Sequence, residues 1–293
     1  MKKILLGSII TLILIIPIAS AVDISIEKKS EQPTPTMQDF THTVFVEYGT
    51  MTTCGPCVTA SAQLNSIYNS GDLDFYFVTL VWDEGKYNVR QRFLELGIVA
   101  VPDVFFDGGY KRVKGRQTSE TPYRNAISES GEREVSDIDI NMDVTWLGGG
   151  KLKIEATVIN NEVEEFKGHI RTYIVEKESR WNDSGNHPYH FAALDIPIDK
   201  NLNVAKTLAR PIGETYTFSK TWRGSLYGFK DIEQDNIMVI VAVFEKDTGN
   251  AVQVAAAEPT SKSGDYRQIN PLFLRILERF PVLGKLLLLP IIN

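Results

Sequence analysis

Val44-Phe45-Val46-Glu47-Tyr48 runs through Gly49-Thr50-Met51-Thr52-Thr53 into Cys54-Gly55-Pro56-Cys57, and the order of these pieces decides how the first half of the chain is read. The first piece is apolar, β-branched and aromatic, which is the composition of a buried strand. After the cysteines, Ala60, Leu64, Ile67 and Tyr68 recur at helical spacing. The cysteine pair therefore occupies a strand-to-helix turn. Proline suits the first turn of a helix, so Pro56 and Gly55 place Cys54 at the helix N-terminus. There the unpaired amides and the helix dipole stabilise a thiolate. Cys57 lies one turn in, close enough to close a small disulfide and more shielded. In such an arrangement Cys54 attacks a substrate disulfide and Cys57 resolves the mixed intermediate.

Working outward, Asp74 to Trp82 is a near-continuous apolar strand of the kind buried on both faces of a parallel sheet. Asn88 to Leu96 reads as a helix that stops at Gly97. Val104-Phe105-Phe106 and Lys111-Arg112-Val113, separated by Asp107-Gly108-Gly109, read as a hairpin, and Thr121 to Ser130 as a last short helix closed by Gly131. The predicted order over residues 42–131 is β-α-β-α-β-β-α. With its CGPC motif at the first strand-to-helix turn, this segment resembles the thioredoxin-fold thiol–disulfide oxidoreductases.

The resemblance implies several roles. Cys54 would be the nucleophile and Cys57 the resolving thiol. Ala100-Val101-Pro102-Asp103, leading into the third strand, is similar to the cis-proline loop of that family. Val101 and Pro102, with Gly55 and Pro56, would then bind the substrate peptide. Glu47 matches the family's buried acid, with a raised pKa and a role as proton acceptor for Cys57; the other reading of Glu47 is a solvated edge residue. Three departures leave substrate choice open. Thr53 stands where the family has Trp, Asp103 stands where Thr is common, and the N-terminal strand and helix of the full family fold are replaced by a polar tether. A CxxC is also half a zinc site, but zinc takes about four ligands and no second CxxC or suitably spaced His pair accompanies it. No metal site and no cofactor is expected. An inert disulfide is the remaining alternative, although a bridge across two residues constrains little chain entropy.

From Ser136 the period changes to two. Ile138, Ile140, Met142, Val144 and Trp146 alternate with polar residues, and Gly148-Gly149-Gly150 turns into the alternating run Lys151 to Val158. Further strands are predicted at 168–176, 189–195, 214–222, 236–245 and 250–256. About seven strands without a helix predict an immunoglobulin-like two-sheet sandwich over 136–258. Asp247-Thr248-Gly249 reads as a turn. Trp181 to His190, containing His187-Pro188-Tyr189-His190, reads either as an exposed loop or as a ligand loop. The sandwich carries no catalytic constellation, so binding or spacing is its default role.

The ends of the chain bear on location. Met1-Lys2-Lys3, the apolar run Ile4 to Ile18 and Ala19-Ser20-Ala21 match a secretory signal peptide (1–21), with an uncleaved N-terminal anchor as the alternative. Residues 22–41 read as a linker, as do 259–269. In the tail, 270–293, Leu272, Phe273, Ile276, Leu277 and Phe280 form an apolar helical stripe that would lie on a membrane surface, on a partner chain or back on its own domain. Of the 293 residues, 43% are hydrophobic, which excludes a largely disordered chain. The net charge of −6 and the lack of a Lys/Arg-dense stripe argue against nucleic acid as a partner. The sequence therefore predicts an exported enzyme, secreted or attached to the outer face of the cell membrane, that cycles a dithiol on exported protein thiols and disulfides. The expected direction is reduction or isomerisation, supplied by a membrane dithiol donor or acceptor. The alternative from another class is a surface interaction protein whose sandwich binds partners.

Overall fold

The computed structural model describes residues 40–204 and 214–261. The expected leader, most of the tether and the tail with Leu272, Phe273, Ile276, Leu277 and Phe280 lie outside the described residues. The elements are β1 (Val44–Thr50), α1 (Gly55–Ser70), β2 (Phe75–Val81), α2 (Tyr87–Glu95), β3 (Asp103–Phe106), β4 (Lys111–Lys114), α3 (Thr121–Gly131), β5 (Ile138–Trp146), β6 (Lys151–Asn160), β7 (Phe166–Asn182), β8 (Pro188–Val204), β9 (Glu214–Arg223), β10 (Ile237–Glu245), β11 (Ala251–Ala257) and β12 (Thr260–Ser261). Most positions follow the sequence pattern, but β7 and β8 run well beyond the expected strands 168–176 and 189–195. α1 carries Pro56 in its first turn and ends at Gly71, whose left-handed φ of 66° suits glycine. β6 alternates buried and half-buried residues along its whole length, as its period of two requires.

The assembly of these elements differs from the expectation. β7, β8, β10 and β11, from the second half of the chain, join the first-half strands in one mixed eight-stranded sheet, ordered β11-β10-β7-β8-β2-β1-β3-β4. The join is made where Thr79 of β2 pairs in parallel with Ala192 of β8, and Thr79 Oγ1 donates to His190 O at 2.7 Å. The remaining strands form a four-stranded sheet, β12-β5-β6-β9. The molecule is thus a mostly β, two-sheet fold with three α-helices among the described residues. An α/β thioredoxin-like domain followed by a separate immunoglobulin-like sandwich is not what the chain forms.

The reason lies in the apolar edge and face of the first-half strands. β2 is buried at six of its seven positions, so its outer edge needs a neighbour, and β8 supplies it. On β1, alternation sends Phe45 and Glu47 to one face and Tyr48 to the other. Tyr48 turns toward α1, while Phe45 meets Tyr173 of β7 and Phe244 of β10 at ring-centroid distances of 5.3 and 5.9 Å. β7 and β10 therefore stand between two cores. Tyr173, Val175, Ile240, Ala242 and Phe244 belong to the core shared with β1 and the helices. Ile174, Val239, Val241 and Val243 belong to the core shared with Leu152, Ile154, Phe218 and Trp222 of the second sheet. A close backbone approach adds to the join. A Cβ on Gly108, after β3, would fall 2.6 Å from Gly249 O in the β10–β11 turn, so only glycine fits there.

Candidate dithiol site

Beyond β1 the backbone turns at Met51, and Cys54 becomes the N-cap of α1 with extended backbone angles (φ −85°, ψ 102°). Its amide donates to Met51 O at 3.0 Å, and the Cys57 amide donates to Cys54 O at 3.2 Å. Cys54 and Cys57 are joined by a disulfide with a Cα–Cα distance of 5.3 Å. Cys57 is fully enclosed, whereas Cys54 keeps 8% of its surface and is flanked by the exposed residues Thr53, Gly55 and Pro56. No acidic side chain lies in the first turn of α1 to oppose a thiolate there.

The Val101–Pro102 peptide is cis and faces the pair, with Cys54 Sγ 3.8 Å from Val101 O. Pro102 is buried and its carbonyl accepts from Gly115 N at 2.8 Å, so the segment is fixed from behind. Asp103 is held by Arg112, whose Nε donates to Oδ1 at 2.9 Å. The loop before Cys54 is tied down by Asp83, whose two oxygens accept from Thr52 N at 3.0 and 3.1 Å, with a further bond from Thr52 Oγ1. Alongside lies an apolar groove of about 280 Å³ lined by Met51, Trp82, Phe93, Leu94, Val99 and Val101.

Glu47 is wholly buried, but it is not an unpaired acid. Arg92 Nε and Nη2 donate to its two oxygens at 2.7 and 2.6 Å, and Tyr173 Oη donates to Oε1 at 2.7 Å. Burial pushes the carboxyl pKa up, yet the Arg92 charge and these hydrogen bonds outweigh it and hold the group below its ordinary value. The expectation of a raised pKa and a proton-accepting role for Cys57 is corrected accordingly: the carboxylate is committed to Arg92.

Residues the sequence did not single out surround the pair. Tyr48 Oη lies 2.9 Å from Cys57 O, and Tyr189 Oη lies 3.0 Å from Met51 O. Tyr189 fell both within the stretch Trp181 to His190 read as a loop and at the start of the strand expected at 189–195. Instead β7 and β8 run on to Asn182 and from Pro188, and Tyr189 is fully buried. A phenol within a predicted strand is the one available signal, because a buried hydroxyl needs a partner. His187 is exposed at the hairpin tip, and among the described residues no group of three or more His, Cys, Asp or Glu could hold a metal ion. A larger cavity of about 500 Å³ lies between α2 and β7, away from the cysteines, and its Arg171 is already paired with Glu95 at 2.8 Å.

No family model and no curated protein matches the chain. Among solved structures, HBP35 of Porphyromonas gingivalis matches with a TM-score of 0.58 at 16% identity, covering 75% of this chain and 78% of that one. The two share a fold. A match across 75% of the chain necessarily draws on both halves, which agrees with the single eight-stranded sheet. It also overturns the reading as a thioredoxin-fold protein with an appended sandwich. Protein AGR_C_4864 from Agrobacterium tumefaciens matches with a TM-score of 0.47 at 14% identity, over 75% of this chain and 95% of that one. A domain of the outer membrane lipoprotein Omp28 from Porphyromonas gingivalis matches with a TM-score of 0.27 at 13% identity, over 44% and 93%.

Proposed function

We propose that the chain is an exported thiol–disulfide oxidoreductase that cycles Cys54–Cys57 on protein substrates. The observation that carries this reading is the asymmetry of the bridge. One sulfur sits at a helix N-terminus on an exposed rim and the other is enclosed one turn further in. In the reduced protein the Cys54 thiolate attacks a substrate disulfide, forming a mixed disulfide and releasing one substrate thiolate, which takes a proton from water. Cys57 then gives up its proton and attacks Cys54 Sγ, closing the intramolecular bridge and releasing the second substrate sulfur as a thiolate, which takes up that proton. The substrate gains two electrons and the protein loses two. A dithiol donor, membrane-embedded on the outer side of the cell, would return them.

The reducing or isomerising direction is supported by what faces Cys54. A strong oxidant needs its reduced form specially stabilised. Here the helix end favours the thiolate, but the Val101 carbonyl oxygen 3.8 Å away opposes it. Export is supported by the leader-like residues 1–21.

The test is Cys57→Ser in the full chain, expressed in an exporting cell. Reductant-sensitive mixed disulfides through Cys54 are expected, and Cys54→Ser should trap none. Absence of trapped partners, together with a wild-type bridge that does not exchange with glutathione, overturns the reading.

A further inference from the structure

Three buried hydroxyls form a chain behind the dithiol. Tyr189 Oη, on β8, lies 3.0 Å from both Thr50 Oγ1 and Met51 O. Tyr48 Oη, on β1, lies 3.2 Å from Thr50 Oγ1 and 2.9 Å from Cys57 O. All three residues are fully enclosed. Each hydroxyl has one proton to give and a carbonyl can only accept, so Tyr189 donates to Met51 and Tyr48 donates to Cys57. Thr50 then donates to one of the phenol oxygens. Met51 O also accepts the Cys54 amide. The segment Met51–Cys57 is therefore held at each end by a phenol, one from its own strand and one from the far half of the chain. Burial keeps both phenols protonated as donors, raising Tyr189 to about 12 and Tyr48 well above its ordinary value.

We propose that Tyr189, Thr50 and Tyr48 are positioning residues that fix the Met51–Cys57 segment in the geometry favouring a Cys54 thiolate. Through Tyr189 the second half of the chain then sets the redox balance of the dithiol. The inference rests on the exchange reaction proposed above. Its physical basis is the short reach of the helix-end field, which falls off within one turn, so a small shift of Cys54 against the α1 amides changes thiolate stability. With a donor removed, the thiolate is less stabilised and the disulfide form gains.

The experiment uses the full chain with Tyr189→Phe, Tyr48→Phe and Thr50→Val. Thr50→Ser serves as the conservative rescue. Tyr123→Phe is the control, because Tyr123 is equally buried but its hydroxyl has no hydrogen-bond partner among the described residues. The readouts are the glutathione equilibrium of the couple and the pH profile of Cys54 alkylation. The first three variants should shift the equilibrium threefold to tenfold toward the disulfide, tenfold being about 30 mV, and move the alkylation profile to higher pH. Thr50→Ser and Tyr123→Phe should stay within twofold of wild type. If a phenol variant fails to fold, Thr50→Val against Thr50→Ser decides. If wild type exchanges with glutathione but the three variants stay within twofold, this inference alone falls. If wild type does not exchange, the oxidoreductase reading falls and takes this one with it.

Discussion

Glu47 and Arg92 meet in a forked pair, two hydrogen bonds of 2.7 and 2.6 Å with both side chains almost wholly out of water. The pair joins β1 to α2, and Tyr173 on β7 completes it from the second half of the chain. A buried ion pair of this kind gains little over a well-packed apolar replacement, but losing one partner strands a charge. Arg92→Met should therefore destabilise the fold by about 3–5 kcal/mol. Urea unfolding followed by circular dichroism checks this; a loss near zero would mean that water reaches Glu47.

The same pair makes a signed statement about pH. The folded carboxyl pKa lies below the ordinary Glu value of about 4.3. Its contribution is thus fully present above that value and disappears as pH falls through the lowered one. The stability gap between wild type and Glu47→Gln should be constant at neutral pH and shrink in acid. A gap unchanged from pH 7 to pH 2.5 would show that Glu47 titrates alike in the folded and unfolded states, and the lowered pKa would have to be abandoned.

Because β7 and β10 are buried on both faces, the two halves should unfold together. Two single-tryptophan variants test this, one keeping Trp82 beside the dithiol and the other keeping Trp222 in the second sheet. Within each variant, tryptophan fluorescence and far-UV circular dichroism should give the same denaturant midpoint and slope, as for a single cooperative unit. Trp222 melting separately while Trp82 stays native would restore two independent domains.

The positions of the strands and helices were legible because each depends on local periodicity, from the apolar run at Val44 to the alternation of β6. The assembly was not, because it depends on contacts between distant residues. The register that joins the sheet, Thr79 with Ala192, leaves no local mark. One mark was present in β10. Ile237 to Phe244 is apolar without alternation, the pattern of a strand covered on both faces, whereas a sandwich strand with a solvated face alternates. The same holds for Tyr173-Ile174-Val175 in β7. At the site, the spacing of Cys54 and Cys57 was readable because helix geometry fixes it. The partner of Glu47 was not, since Arg92 lies on another element and Tyr173 lies 126 residues away.

Asp83 anchors the loop before Cys54 through two backbone hydrogen bonds and one from the Thr52 hydroxyl. Asp83→Ala should cost about 1–3 kcal/mol, since hydrogen bonds to a charged group are worth about 1.5–3 kcal/mol and water partly replaces them at this half-exposed position. It should also speed limited proteolysis between Gly49 and Thr53. Unchanged melting and cleavage would show that the loop is held by Met51 and its partners alone.

Asp195 on β8 carries the opposite sign of pH dependence. Its carboxylate is buried and accepts from Trp222 Nε1 at 2.9 Å, Ile196 N at 2.9 Å and Asn88 Nδ2 at 3.1 Å. Burial raises its pKa and these neutral donors only partly offset that. An acid with a raised folded pKa carries no penalty below its unfolded value of about 3.9, and the full penalty once pH has risen past the folded value. Asn at this position loses one acceptor at every pH but never ionises. Between pH 3.5 and pH 7.5 the melting temperature of Asp195→Asn relative to wild type should therefore improve as pH passes the unfolded value of about 3.9 and level off once pH exceeds the folded one. A difference that stays flat across that range would mean that the charge is compensated in the folded protein, and the pH dependence assigned to Asp195 would have to be abandoned.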